Sequence, residues 1–83
     1  MYSIDFSKTA KSQLDKLSLP LKERIISTLE RIKIRPFDYI KRKQGTPFFI
    51  LRIGSYRAIL DVKNEILLIL VVEVGPRKNI YKN

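Results

Sequence analysis

The sequence has 83 residues, enough for one domain with a thin core, because a chain of this size buries only about 60 to 65 per cent of its unfolded surface. Apolar residues make up 45% and charged residues 30%, the balance of a folded domain rather than a disordered tail; with no cysteine and no histidine, disulfides, thiolate or imidazole metal sites and thiol redox chemistry are excluded. Seventeen Lys and Arg against eight Asp and Glu leave a formal charge of +9, which favours polyanionic partners over the mixed-sign surface that solubility alone would require.

The first residues, Met1 to Ala10, include Asp5 and Lys8 and lack the long apolar run of a signal peptide, so a cytoplasmic location is expected. Tyr2 to Phe6 alternates as a short strand, and Ser7 is placed to cap a helix running to about Leu17. Phe6, Ala10, Leu14 and Leu17 form its apolar stripe, with Lys8, Lys11, Asp15 and Lys16 off it. Pro20 suits the first turn of a second helix, whose stripe is Leu21, Ile25, Leu29 and Ile32 and which Pro36 stops near Ile34. The two helices form a hairpin.

Pro36 to Pro47 holds two prolines, Gly45 and the run Lys41-Arg42-Lys43 without a sustained period, so it reads as a basic connecting loop. Phe48 to Ile53, Tyr56 to Val62 and Ile66 to Val74 read as a three-strand meander, punctuated by Gly54-Ser55 and Lys63-Asn64. In the last of these, Ile66 to Val72 is apolar on both faces, which predicts an interior strand covered twice, although a helix hairpin can cover only one face. Ile66 to Val72 is also far short of the roughly 20 residues that span a bilayer, so no membrane role is expected. Nothing divides the chain, and residues 1–83 are read as a single domain.

A two-residue turn at Gly54-Ser55 sets Ile53 against Tyr56 and Arg52 directly against Arg57. Like charges facing across a sheet cost several tenths to about 1 kcal/mol, and a bound anion offsets that cost. The plainer reading is that one arginine pairs with Asp61 or Glu73 while the other points into solvent. In Gly75-Pro76-Arg77-Lys78-Asn79-Ile80-Tyr81, Arg77 and Tyr81 share a side whether the tail is helical or extended. A guanidinium that grips phosphate beside a ring that stacks on a splayed base suits RNA; a basic terminus with Tyr81 packed on the body is the alternative.

The order strand, helix hairpin, basic loop, meander, with LRIGSYRAIL from Leu51 to Leu60 and VEVGPRKNIY from Val72 to Tyr81, resembles the RelE/ParE toxin superfamily over nearly the whole chain. The resemblance implies an α+β fold, β-α-α-β-β-β, with the helix hairpin on one face of an antiparallel sheet and basic residues on the other. Counting reversals from strand one makes it antiparallel to the last strand, its expected neighbour, in the order 1-4-3-2. In RelE-like members that cut mRNA on the ribosome, the functional arginines and tyrosine match Arg57, Arg77 and Tyr81, and Arg52 matches a position that is often basic. A second lysine tends to stand two residues before it, where this chain has Ile50, so the resemblance does not assign the general base. A C-terminal helix carried by some relatives is expected to be missing, since two residues follow Tyr81.

The resemblance thus implies a metal-independent endoribonuclease of a type II toxin-antitoxin system, with no cofactor, in which a ribose 2′-hydroxyl attacks its own 3′ phosphate. Arg52, Arg57 and Arg77 would neutralise the phosphorane, and Tyr81 would stack or act as base. Lys41, Arg42, Lys43 and Lys78 would hold the RNA backbone, or remain a solvated basic surface. Implied partners are mRNA, the ribosome and an acidic RelB-like antitoxin. Two rival expectations are a ParE-like inhibitor of DNA gyrase that cuts nothing and a non-catalytic nucleic-acid-binding protein of the same fold.

Overall fold

The computed structural model describes residues 1–77; the candidates Lys78 and Tyr81, and the expected loss of a C-terminal helix, lie outside the described residues. Among the described residues the elements run β1 (Ser3–Phe6), α1 (Lys8–Asp15), α2 (Leu19–Arg31), β2 (Ile40–Arg42), β3 (Phe49–Ile53), β4 (Tyr56–Lys63) and β5 (Leu68–Pro76). Single 3-10 turns lie at Pro36–Asp38 and Asn64–Ile66. The class is α+β, with a five-stranded mixed sheet and two helices.

Ser7 caps α1 as its position predicts. Its hydroxyl accepts from the Ala10 N–H at 3.0 Å and donates to the Val72 carbonyl at 2.7 Å, so one side chain both starts the helix and ties it to β5. Pro20 sits in the first turn of α2, where its missing N–H costs nothing. Both predicted stripes face inward. Ala10, Leu14, Ile25, Leu29 and Ile32 are buried against Leu51, Ile53, Ala58, Leu60, Ile69, Val71 and Val74, with Phe6, Leu17 and Leu21 packed around them. Each fully buried Leu or Ile contributes about 1.5 to 3 kcal/mol, and these side chains form the core that holds the helices on one face of the sheet.

The strand order is β1-β5-β4-β3-β2, and two expectations are corrected by it. First, Pro36 to Pro47 is not only a loop: Ile40–Arg42 pairs antiparallel with Phe49–Leu51 and adds an edge strand. Ile40 is the one apolar residue of the three and is buried, so a strand of this length carries too few residues to show a period. Second, β1 is parallel to β5, not antiparallel. The reason lies in α1. It does not fold back on β1 but runs on along β5, as the bonds from the Ser7 N–H to the Val71 carbonyl (2.9 Å) and from the Val74 N–H to Gln13 Oε1 (2.6 Å) mark out. The return is made by α2 alone, whose 13 residues span about 20 Å and bring Lys33 to the start of β1, where the Tyr2 N–H donates to the Lys33 carbonyl at 3.0 Å. With β2 inserted next, β3 and β5 both run in the direction of β1.

β5 is interior, as its apolar run predicts, but it begins at Leu68 rather than Ile66. The pairing Leu60↔Val71 is followed by Ile59↔Glu73, so Val72 is an extra residue, a β-bulge. The bulge moves the buried positions from Ile69 and Val71 to Val74, which turns Glu73 and Gly75 to the face away from the helices. Before the bulge, Leu68 and Leu70 face away from the helices and are half-buried, so the run is apolar on both faces as far as Val71.

Candidate functional site

Gly54 has φ 61°, a left-handed conformation that a side chain disfavours, and it makes the tight β3–β4 turn possible. The turn gives the expected register, Ile53↔Tyr56 and Arg52↔Arg57. Strand alternation sends Ile53 into the core and both arginines to the face of the sheet away from the helices. On the other side of β4, Arg57 stands opposite Gly75, which puts no side chain beside it. The end of β5 is fastened to the same turn by the Arg77 N–H, which donates to the Ser55 carbonyl at 2.9 Å. Arg52, Arg57 and Arg77, from three strands or strand ends, thus meet around one turn.

Their access differs. Arg52 and Arg77 are exposed, whereas Arg57 is only 2% exposed and is the one buried charged residue among those described. The sequence placed the pair correctly and did not reveal this difference, because cross-strand register says nothing about what lies over a face. Asp61, one of the acids considered as an arginine partner, is instead 3.2 Å from Lys63. Glu73 is exposed and stands opposite Ile59.

The basic run 41–43 is divided by β2. Lys41 is opposite Ile50 and shares the open face with Arg52, its diagonal neighbour at about 7 to 8 Å between Cα atoms. Arg42 projects the other way: its Nε donates to the Thr46 carbonyl at 3.4 Å, and its guanidinium lies 5.6 Å from the Phe49 ring centroid. Phe49 in turn meets Phe37 edge-on at 5.4 Å. Lys43 closes the following turn through its backbone, with its N–H bonded to the Phe48 carbonyl at 2.9 Å. Of the three, the structure brings Lys41 alone to the arginine face. Ile50 is half-buried opposite Ile59, so the position next to Arg52 offers hydrocarbon and no group that takes a proton.

One basic residue was missed. Arg24, on α2, lays its guanidinium on the turn: a Cβ built on Gly54 would lie 3.2 Å from Nη1 and Nη2 and 3.3 Å from Cζ. In the sequence Arg24 stands beside Ile25 at the margin of the apolar stripe, and only the docking of α2 on the sheet shows where it reaches. Among the described residues, no group of three or more His, Cys, Asp or Glu is placed to hold a metal ion, and no helix is long and apolar enough to cross a membrane.

Residues 4–81 match the family model described as the ParE toxin of the type II toxin-antitoxin system parDE. The chain belongs to this family. It is therefore a type II toxin of the RelE/ParE superfamily, the group that its turn and tail motifs resemble. Among solved structures, the toxin is similar to a chain of the RelBE2 toxin-antitoxin complex from Mycobacterium tuberculosis, with a TM-score of 0.82 and 23% identity over 92% of this chain and 98% of that one. A chain of the intact Escherichia coli RelBE complex gives a TM-score of 0.79 at 23% identity, over 92% and 96%. A chain of the archaeal RelE-RelB complex from Pyrococcus horikoshii gives 0.78 at 20%, over 92% and 94%. At these identities the likeness is one of fold. No curated protein sequence matches the toxin.

Proposed function

We propose that the toxin is a metal-independent endoribonuclease that cuts mRNA on the ribosome and is held inactive by an acidic RelB-like antitoxin. The observation that carries this reading is the convergence of Arg52, Arg57 and Arg77 on the β3–β4 turn, two of them directly opposed across the sheet. Guanidiniums gathered at one turn concentrate positive charge, and the exposed forks of Arg52 and Arg77 suit a phosphate.

In the reaction, the 2′-oxygen forms a bond to the adjacent phosphorus as the bond from phosphorus to the 5′-oxygen of the next nucleotide breaks. The 2′-proton passes to a base, and another proton reaches the departing 5′-oxygen. The products are a 2′,3′-cyclic phosphate and a 5′-hydroxyl. Arg52 and Arg77 are exposed and take up the charge that develops on the phosphorane oxygens. Arg57, buried on the same face and paired with Arg52 in register, adds positive charge behind them. Tyr81 is the proposed stacking or proton-transfer group. Lys41 stands on the same face and serves the RNA backbone, with Lys78 from the tail; Arg42 and Lys43 serve it from the edge of the sheet. The chain has no histidine or cysteine, which leaves charge neutralisation to its arginines and lysines.

The antitoxin assignment is supported by the +9 charge and by solved structures of this fold that include complexes of RelE with RelB. One specific observation favours a second reading: the matching family model is that of ParE toxins, which makes a gyrase inhibitor without nuclease activity the rival. The two are separated by incubating purified toxin with programmed ribosomes and, in parallel, with gyrase and relaxed plasmid. Cleaved mRNA bearing cyclic phosphate ends supports the nuclease; intact mRNA with blocked supercoiling supports the inhibitor.

A further inference from the structure

We propose that Arg24 is a phosphate-binding residue of the RNA site, holding a backbone phosphate beside the one that is cut as the strand passes over the β3–β4 turn towards α2. The inference rests on the nuclease reading and extends its substrate path. The near-equal distances of Nη1, Nη2 and Cζ from the Gly54 Cβ position, 3.2, 3.2 and 3.3 Å, place that point over the flat face of the guanidinium rather than at its edge. In-plane approach through the two nitrogens would leave Cζ clearly farther than either. The N–H groups lie in the plane, so they radiate from the contact and remain available to an anion.

They are also unclaimed among the described residues. Among the described residues the Arg24 guanidinium takes part in no hydrogen bond or ion pair, since Ser27 and Thr28 bond only its carbonyl. The sequence accounts for this. Ser27 and Thr28 occupy the positions three and four residues on, where an acid would pair with it, and Glu23 is its chain neighbour on a different side of the helix. The positioning contact, by contrast, is local: the turn carries glycine at a positive φ, and with no side chain there the guanidinium packs close on the turn. Arg24 therefore meets the turn from the helix layer while Arg52 flanks it on the open face and Arg77 is tied to Ser55. A single-stranded polyanion crossing the rim of the sheet meets all three in succession.

The test measures binding of a single-stranded RNA oligonucleotide, 2′-O-methylated so that it cannot be cut, as a function of salt. Each phosphate contact on single-stranded nucleic acid contributes about 0.7 to the slope of log affinity against log salt. Arg24→Gln lowers the slope by about 0.7; Arg24→Lys keeps the slope and loses affinity, having the charge without the fork. Both replacements are good helix formers at an exposed position, so the fold is retained. Arg31→Gln, two turns farther along the same helix, removes the same charge away from the turn and leaves the slope unchanged. A parental slope in Arg24→Gln, or an equal fall in Arg31→Gln, overturns the proposal while the nuclease reading stands. A parent that binds no RNA also overturns the Arg24 proposal, while the nuclease reading is decided by cleavage on programmed ribosomes.

Discussion

Arg77 fastens the end of β5 to Ser55 through its backbone N–H, and its exposed side chain is the one proposed to meet the phosphate. Arg77→Ala keeps the backbone bond and removes the side chain, so stability should change by no more than about 0.5 kcal/mol. Cleavage should fall about 100- to 1000-fold, the usual loss for one preorganised donor to a developing oxyanion. Arg77→Lys should fall nearly as far, and Tyr81→Ala should abolish toxicity with the fold kept. Thermal melts paired with growth assays check this, and a folded, fully toxic Arg77→Ala would remove Arg77 from the site. Arg57→Ala is a less clean probe, because a buried arginine also packs through its stem. Register made the Arg52–Arg57 pair legible from Gly54-Ser55 alone, whereas the burial of one partner and the reach of Arg24 belong to tertiary packing. Leu67 shows a different limit. It has φ 52° between the Asn64–Ile66 turn and β5, a left-handed conformation that costs a branched side chain about 1 to 2 kcal/mol, at a place where sequence patterning predicted strand. Leu67→Asn should therefore raise stability by about 0.5 to 1 kcal/mol in urea melts; a loss would mean that the half-exposed Leu67 side chain contributes more than its backbone costs.

Among elements, the long amphipathic helices were legible because their stripes repeat over two to four turns, and Ala10, Leu14, Ile25, Leu29 and Ile32 are all buried as those stripes require. What failed was direction. Periodicity says which face of α1 packs, not whether the helix turns back or runs on, and the three residues of β2 are too few to announce a strand. Together these gave the wrong sense to β1 against β5. The bulge at Val72 was hidden for a related reason, since a one-residue insertion in an apolar run looks like a strand buried on both faces. Ser7 is the joint on which the observed direction of α1 depends. Ser7→Ala should cost about 1 to 2 kcal/mol, because it loses the cap to Ala10 and leaves the Val72 carbonyl without its hydroxyl donor. Equilibrium denaturation measures this, and a change below about 0.3 kcal/mol would show that the cap does not anchor the helix.

The whole molecule is a thin body with helices on one side of the sheet and, on the other, Lys41, Arg52 and Arg57 around the half-buried Ile50 and the buried Ile59. The exposed part of that face, Lys41 and Arg52 beside the half-buried Ile50, suits an acidic segment that also carries apolar residues, the chemistry proposed for the antitoxin. Hydrogen exchange on the complex should show protection over β3, β4 and the end of β5; protection confined to the outer surface of α1 and α2 would place the antitoxin elsewhere. The central claim is that this cluster cuts RNA. Its most direct test is end-group analysis of mRNA on intact programmed ribosomes treated with the toxin and with Arg77→Ala. The expected products are 2′,3′-cyclic phosphate and 5′-hydroxyl ends, lost in the variant. Uncut mRNA under conditions where the toxin blocks gyrase supercoiling would contradict it.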